Sequence, residues 1–389
     1  MLSVLRRARK SLGRAAVVLC AGLVAACVPA TGPSPTRGSG GAVQVALLIP
    51  SGSGQTQDEV FGTSLENAAR LAMADLSGVS IDLRVYRTAA NPAQAGALAR
   101  QAVSEGAQVI LGPFYSEEAN AAGVAVANSG VSVLAFSNNT AIAGGNVFVL
   151  GQTFDNTARR LAAHAVRNGK SNILIVHDRN VAGDVGRAAI ARSVTAVGGR
   201  IAGVSSYEFS QNGIVQAASG IVSTARASGA NALFMTADTA GALPLLTQLL
   251  VDNGIDRSST QFIGLTRWDI PSATLALPGV QGGWFAMPDP GLQTQFQSRY
   301  QAAYGAAPSA VAGLAYDGVA AIGALARGAD GAPITRAALT QRAGFAGVSG
   351  IFRFLDNGTN ERGLAVAQIR DNQVVVIDPA PRSFAGPGL

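Results

Sequence analysis

Short apolar runs of strand length alternate along this chain with stretches whose apolar residues recur at helical spacing. VQVALLIP (43–50) is a β-rich run closed by Pro50. A helix pattern over 58–76 follows, with Leu65, Ala68, Ala69, Ala72 and Met73 on one face. IDLRVYR (81–87) alternates in and out like a strand. A helix is predicted over 92–104, with Asn91 as cap and Pro92 at the first helical position. Strand 108–112, helix 117–129, strand 131–136 and strand 147–151 complete a first series.

The second series runs helix 155–168, strand 172–177, helix 184–198, strand 201–209, helix 213–228, strand 232–236, helix 241–253 and strands 261–265 and 282–287. Apolar strands separated by amphipathic helices call for parallel sheets covered on both faces. Two series of similar size call for two doubly wound α/β lobes. After Pro290 come helices over 291–304, 309–327 and 335–342, then strands 350–355, 363–370 and 373–378. Asn357-Gly358 marks a hairpin turn between the first two of these strands. A helical stretch after two complete series implies that the chain returns to the first lobe and finishes on the second.

The N-terminus changes the charge account. Arg6, Arg7, Arg9, Lys10 and Arg14 precede an apolar run over 15–26, which is shorter than the roughly 20 residues a membrane span needs. It ends in Leu23-Val24-Ala25-Ala26-Cys27, which is similar to a bacterial lipobox and implies cleavage before Cys27 and lipidation there. The alternatives are an ordinary signal peptide cut after Ala26 or an uncleaved anchor. Cleavage removes five basic residues and leaves 24 Lys+Arg against 23 Asp+Glu, a net charge of +1. The basic character of the whole chain is therefore no pointer to nucleic acid. Cys20 and Cys27 are the only cysteines, so the folded part holds no thiol and no disulfide. Residues 28–41, rich in Pro, Gly and Ser, read as a flexible tether, and 379–389 as a loose tail.

Catalytic chemistry has little to stand on. His164 lies in a helix pattern and His177 closes a strand, and neither has a partner motif. Gly52-Ser53-Gly54 lacks the frame of a nucleophile elbow, and no phosphate-binding glycine motif follows a strand. No metal or cofactor is expected. Polar residues just past strands stand out instead, because ligands of open parallel sheets bind beyond the strands' carboxyl ends. Ser51 and Ser53 follow the first strand; Ser116 precedes a helix, as an anion contact or a plain N-cap; Ser137, Asn138 and Thr140 follow 131–136. Asp238 follows 232–236, and Thr266, Arg267, Trp268 and Asp269 follow 261–265.

LGPFYSEEANAAGVAVANSGVSVLAFS (111–137), FQSRYQAAYGAAPSAVAGLAYDGVAAIGAL (296–325) and FAGVSGIFRFLDNGTNERG (345–363) together resemble type I periplasmic binding proteins of the leucine/isoleucine/valine-binding kind. The resemblance implies two lobes joined by three crossovers, with a ligand cleft between them. On that reading 42–152 and 288–345 form the first lobe, and 153–287 and 346–378 the second. It implies a small polar ligand such as an amino acid, with its carboxylate at Ser116 and the 137–140 loop. The position matching the usual ammonium-holding acid is Thr266, beside Arg267; Asp238 or Asp269 would have to substitute. The lipobox with GLTRWD and GGWFAMPDP also resembles the penicillin-binding protein activator lipoproteins.

Two functions follow as expectations, neither enzymatic. One is a solute receptor for transport or sensing, working with a permease complex. The other is a lipoprotein that activates a peptidoglycan synthase, a penicillin-binding protein. Both place the chain on the periplasmic side of a membrane, anchored through the Cys27 lipid. Val28 after the cysteine favours the outer membrane.

Overall fold

A computed structural model describes residues 41–327 and 334–384. The signal segment, Cys27 and residues 28–40 of the tether lie outside the described residues, as do the last five of the tail. From Ala42 onward the chain forms one compact unit, within which two α/β lobes are built on two separate sheets.

The first lobe opens with β1 (Val43–Ile49), α1 (Thr56–Ala74), β2 (Ile81–Arg87), α2 (Pro92–Ser104), β3 (Val109–Leu111), α3 (Ser116–Ala125), β4 (Ser132–Ala135) and β5 (Val147–Val149). Its five strands lie in the order β2-β1-β3-β4-β5, all parallel. The pleat sorts the side chains: Val45, Leu47 and Ile49 point to the layer holding α1, while Ala46 and Leu48 point to the layer holding α2 and α3. Both faces are buried, so the strand reads as a continuous apolar run. Asn91 caps α2 by accepting from the Gln94 N–H at 3.0 Å, with Pro92 next, as the sequence predicts.

The second lobe holds α4 (Phe154–Arg167), β6 (Asn172–Asp178), α5 (Val181–Ala196), β7 (Arg200–Tyr207), α6 (Gln211–Ser228), β8 (Ala232–Met235), α7 (Leu243–Asp252), β9 (Gln261–Gly264) and β10 (Trp284–Met287). The chain then returns to the first lobe with α8 (Pro290–Tyr304), α9 (Ala312–Arg327) and the single turn α10 (Arg336–Leu339). Phe296, Tyr300, Ala315, Val319 and Ile322 of α8 and α9 complete the core around α1. β11 (Phe345–Gly347), β12 (Gly350–Phe354) and β13 (Asn360–Arg362) make a small antiparallel sheet, and β14 (Ala365–Arg370) and β15 (Gln373–Asp378) extend the second sheet antiparallel. Its order is β15-β14-β10-β9-β8-β6-β7.

Two sequence expectations shift here. Phe352 and Phe354 were placed in the second lobe with 346–378, but they bury in the first lobe's core beside Phe148 and Phe345. The chain thus leaves the first lobe for the last time at Gly363 and Leu364. Asn357-Gly358 does turn a hairpin, with Gly358 at φ +82°, but the returning strand is β13 rather than 363–370.

The first and third crossovers meet in one buried polar knot. Asn360 Nδ2 donates to the carbonyls of Val149 (2.7 Å) and Gly151 (2.8 Å) on the first crossover. Arg362 donates through Nε to Leu150 O (3.2 Å) and through Nη1 to Asp317 Oδ2 (3.0 Å). Asp317 is fully buried in α9, and its Oδ1 accepts from the Val348 N–H at 2.8 Å. Burial pushes the Asp317 carboxyl up, and the Arg362 guanidinium opposes that. The second crossover enters α8 through Asp289, whose carboxylate accepts from the N–H groups of Gly291 and Leu292.

Candidate functional site

The strand ends of the first lobe carry more acid than the sequence reading allowed. Ser51 is buried, its hydroxyl against the bare backbone of Gly62, where a Cβ would sit 2.0 Å from it. Ser53 Oγ donates to Asp58 Oδ2 at 2.6 Å, and Tyr115 Oη donates to Asp58 Oδ1 at 2.5 Å. Donation to that carboxylate pushes the Tyr115 phenol up to about 12. Ser116 is the first residue of α3, and the capping position belongs to Tyr115, which makes no side-chain cap. Glu117 and Glu118 follow in the first turn, and Glu118 is buried, which pushes its carboxyl up.

A ligand carboxylate at Ser116 would therefore meet Asp58, Glu117 and Glu118 at a helix end whose positive pole already has its acids. This crowding of acid weighs against an anion there. Ser137 Oγ accepts from the Asn139 N–H at 3.1 Å and so shapes its own loop. Asn138 is exposed, and Thr140 opens a single 3-10 turn.

In the second lobe Trp268 has no exposed surface. It packs into the core against Gly264 and Gly283, where added Cβ atoms would meet its ring at 2.2 Å. It is a core residue, with no surface turned to the cavity between the lobes. Asp269 is likewise engaged: Arg267 Nε donates to its Oδ1 at 2.6 Å and Arg267 Nη2 to its Oδ2. An acid held on both oxygens by a guanidinium does not wait for an ammonium. Asp238 is exposed, with its backbone carbonyl accepting from Leu243 N–H at 3.0 Å.

A cavity of about 360 Å³ lies where the lobes join, beside all three crossovers. Of the predicted residues, Thr266 and Arg267 line it; Ser51, Ser53, Ser116, Ser137, Asn138, Thr140, Asp238, Trp268 and Asp269 do not. The remaining polar walls are Gln152, Thr153 and Thr157 at the start of α4, Gln293 and Gln297 on α8, and Ser309, Ser349 and Arg362. Gln152 obeys the same strand-end rule that singled out the others, directly after 147–151. Gln293 and Gln297 share a helix face at i,i+4 spacing, a signal without meaning until α8 is known to pass the hinge.

Residues 42–373 match the sequence model of a family described as periplasmic binding protein. The chain belongs to that family. No curated protein matches it in sequence. Among solved structures it is similar to a Rhodospirillum rubrum protein described as a branched-chain amino acid ABC transporter, at 20% identity and a TM-score of 0.72, covering 86% of this chain and 100% of that one. It is also similar to an ABC transporter substrate-binding protein of Desulfitobacterium hafniense in complex with Leu (18% identity, TM-score 0.60, 87% and 100% covered). A third is a solute-binding protein of R. palustris in complex with benzoate (19%, 0.56, 90% and 99%). At these identities the likeness establishes the fold, the two-lobed type I arrangement. Family membership implies an extracytoplasmic location.

Proposed function

We propose that this periplasmic binding protein is a non-catalytic receptor that closes its lobes on a small polar ligand and hands it to a permease or a sensor. The observation that carries the reading is the cavity at the hinge. Its volume falls in the range of about 300–1,000 Å³ typical of small-molecule sites. Its walls mix apolar side chains such as Phe154 and Leu314 with convergent neutral donors and one partly exposed guanidinium. Hinged closure of two lobes about such a site is an established mode of capture. The relatives in complex with Leu and with benzoate support a small organic ligand.

The anchor belongs to the same proposal. Lipid on Cys27 holds the receptor to the membrane, the outer one by virtue of Val28, and a multi-chain anchor is what stable attachment requires. Cys27→Ser is expected to move the protein from the membrane to the soluble fraction; retention in the membrane would contradict the anchor.

The second reading, activation of a peptidoglycan synthase, is favoured by exposed apolar residues near strand ends of the second lobe: Val181 is 82% exposed, Phe209 56% and Ile270 54%. A thermal-shift screen separates the two. Amino acids, aromatic carboxylates and muropeptides are offered one at a time. A ligand present at 100 times its Kd stabilises the fold by about 2.7 kcal/mol. A clear shift with one class supports the receptor. No shift with any of them, together with binding to the synthase, supports the activator.

A further inference from the structure

We propose that the hinge cavity takes an organic anion without an ammonium group, a carboxylate on an uncharged body, and that Arg267 receives the carboxylate. The proposal rests on the receptor reading and names the chemical class of its ligand.

The charges around the cavity decide the matter. Its walls hold two arginines and no aspartate or glutamate. Arg362 is spent on structure: Nε and Nη2 donate to Leu150 O and Nη1 to Asp317. Arg267 is not spent. Its Nε and Nη2 meet the two oxygens of Asp269, and among the described residues no bond engages Nη1. Its side chain is 22% exposed, against 11% for Asp269. A guanidinium clamped along one edge is held in orientation and keeps N–H donors for a second acceptor.

The nearby acids are committed or lie outside the walls: Asp289 caps α8 by accepting from the Gly291 and Leu292 N–H groups, and Asp155 accepts from Arg192. Asp269 is held by Arg267, and Asp317 by Arg362 and the Val348 N–H. Asp178 accepts from the Thr236 hydroxyl at 2.5 Å and from Asn180. Asp238 is exposed and outside the walls. An ammonium entering the cavity would find two guanidiniums and no uncommitted carboxylate on its walls, and an unpaired buried charge is costly. A carboxylate would meet the donors that Arg267 keeps. The rest of the lining, Gln293, Gln297 and Thr157 with Phe154 and Leu314, suits an uncharged aliphatic or aromatic body.

Matched pairs test this on the full-length protein by calorimetric titration: L-leucine against 4-methylpentanoate, and L-phenylalanine against 3-phenylpropanoate. Each pair differs by one ammonium group. In at least one pair the deaminated acid is expected to bind at least about tenfold more tightly. Arg267→Gln is expected to weaken that acid by about tenfold or more.

An amino acid that binds as well as its deaminated partner overturns the anion and leaves the receptor standing. So does an unchanged affinity in Arg267→Gln, or an uncharged sugar that binds when neither pair does. Should Arg267→Gln fail to fold, the wild-type pairs still decide. If no small molecule binds, the receptor reading itself falls, and this proposal with it.

Discussion

Trp268 and Arg267 are neighbours with opposite fates, and the difference lies beyond local pattern. Both follow an apolar strand, where the strand-end rule marks polar and aromatic residues alike as ligand contacts. The chain turns so that Trp268 drops between Gly264 and Gly283 while Arg267 stays at the cavity wall. No periodicity announces such a turn, because alternation ends with the strand. The rule did find Thr266 and Arg267, and missed Gln293, Gln297, Ser309 and Ser349, which reach the cavity only through tertiary return of the chain. Trp268→Ala is expected to cost about 3–5 kcal/mol of stability, read by urea unfolding, because it empties a fully buried ring site. Loss of ligand affinity with unchanged stability would return Trp268 to the cleft.

Helix and strand order was legible because the inner strands of each sheet are buried on both faces and read as unbroken apolar runs, while the edge strand β2 alternates. β11 and β13 were not, being three residues long; β13 reads Asn-Glu-Arg, with side chains that pair rather than pack. The clamp between α4 and β15 was also hidden. Asp378 accepts from Arg160 Nη1 at 2.9 Å and lies 2.9 Å from His164 Nδ1. Burial pushes the Asp378 carboxyl up, but Arg160 and His164 overcome this and hold it at about 2 against an ordinary 3.8. Burial likewise lowers His164 from 6.5, against the pull of Asp378.

Both groups therefore take up protons in the unfolded chain at a higher pH than in the fold. The stability they supply is whole above about 6.5 and falls as pH drops, first through His164, then through Asp378 between about 4 and 2. Asp378→Asn should flatten the lower part of that decline in a pH series of thermal unfolding; an unchanged slope below about pH 4 would contradict the clamp. A second element-scale test is Gly358→Ala. At φ +82°, an added Cβ would lie 2.4 Å from Gly144 N, so the hairpin that ties β12 to β5 should loosen and the Tm fall.

At the scale of the molecule, the knot of Asn360, Arg362 and Asp317 ties the third crossover to the first and to α9, and no disulfide adds to it. No cysteine lies beyond position 27, so reductant is expected to leave the melting temperature of the folded part unchanged. Arg362→Met strands the Asp317 carboxylate in the core and is expected to cost about 3–5 kcal/mol in chemical unfolding. A cost near zero would mean that the pair is incidental to the hinge.

The central claim is that the hinge cavity is the place where a ligand binds. The most direct test is calorimetric titration of wild type and Gln297→Trp with the compound that gives the largest thermal shift. Gln297 is an exposed residue of α8 on the cavity wall, so the larger side chain fills the space without entering the core. The account predicts a single saturable site in wild type and its loss in Gln297→Trp, with both proteins equally folded. Unchanged binding in Gln297→Trp would place the ligand elsewhere and contradict the account.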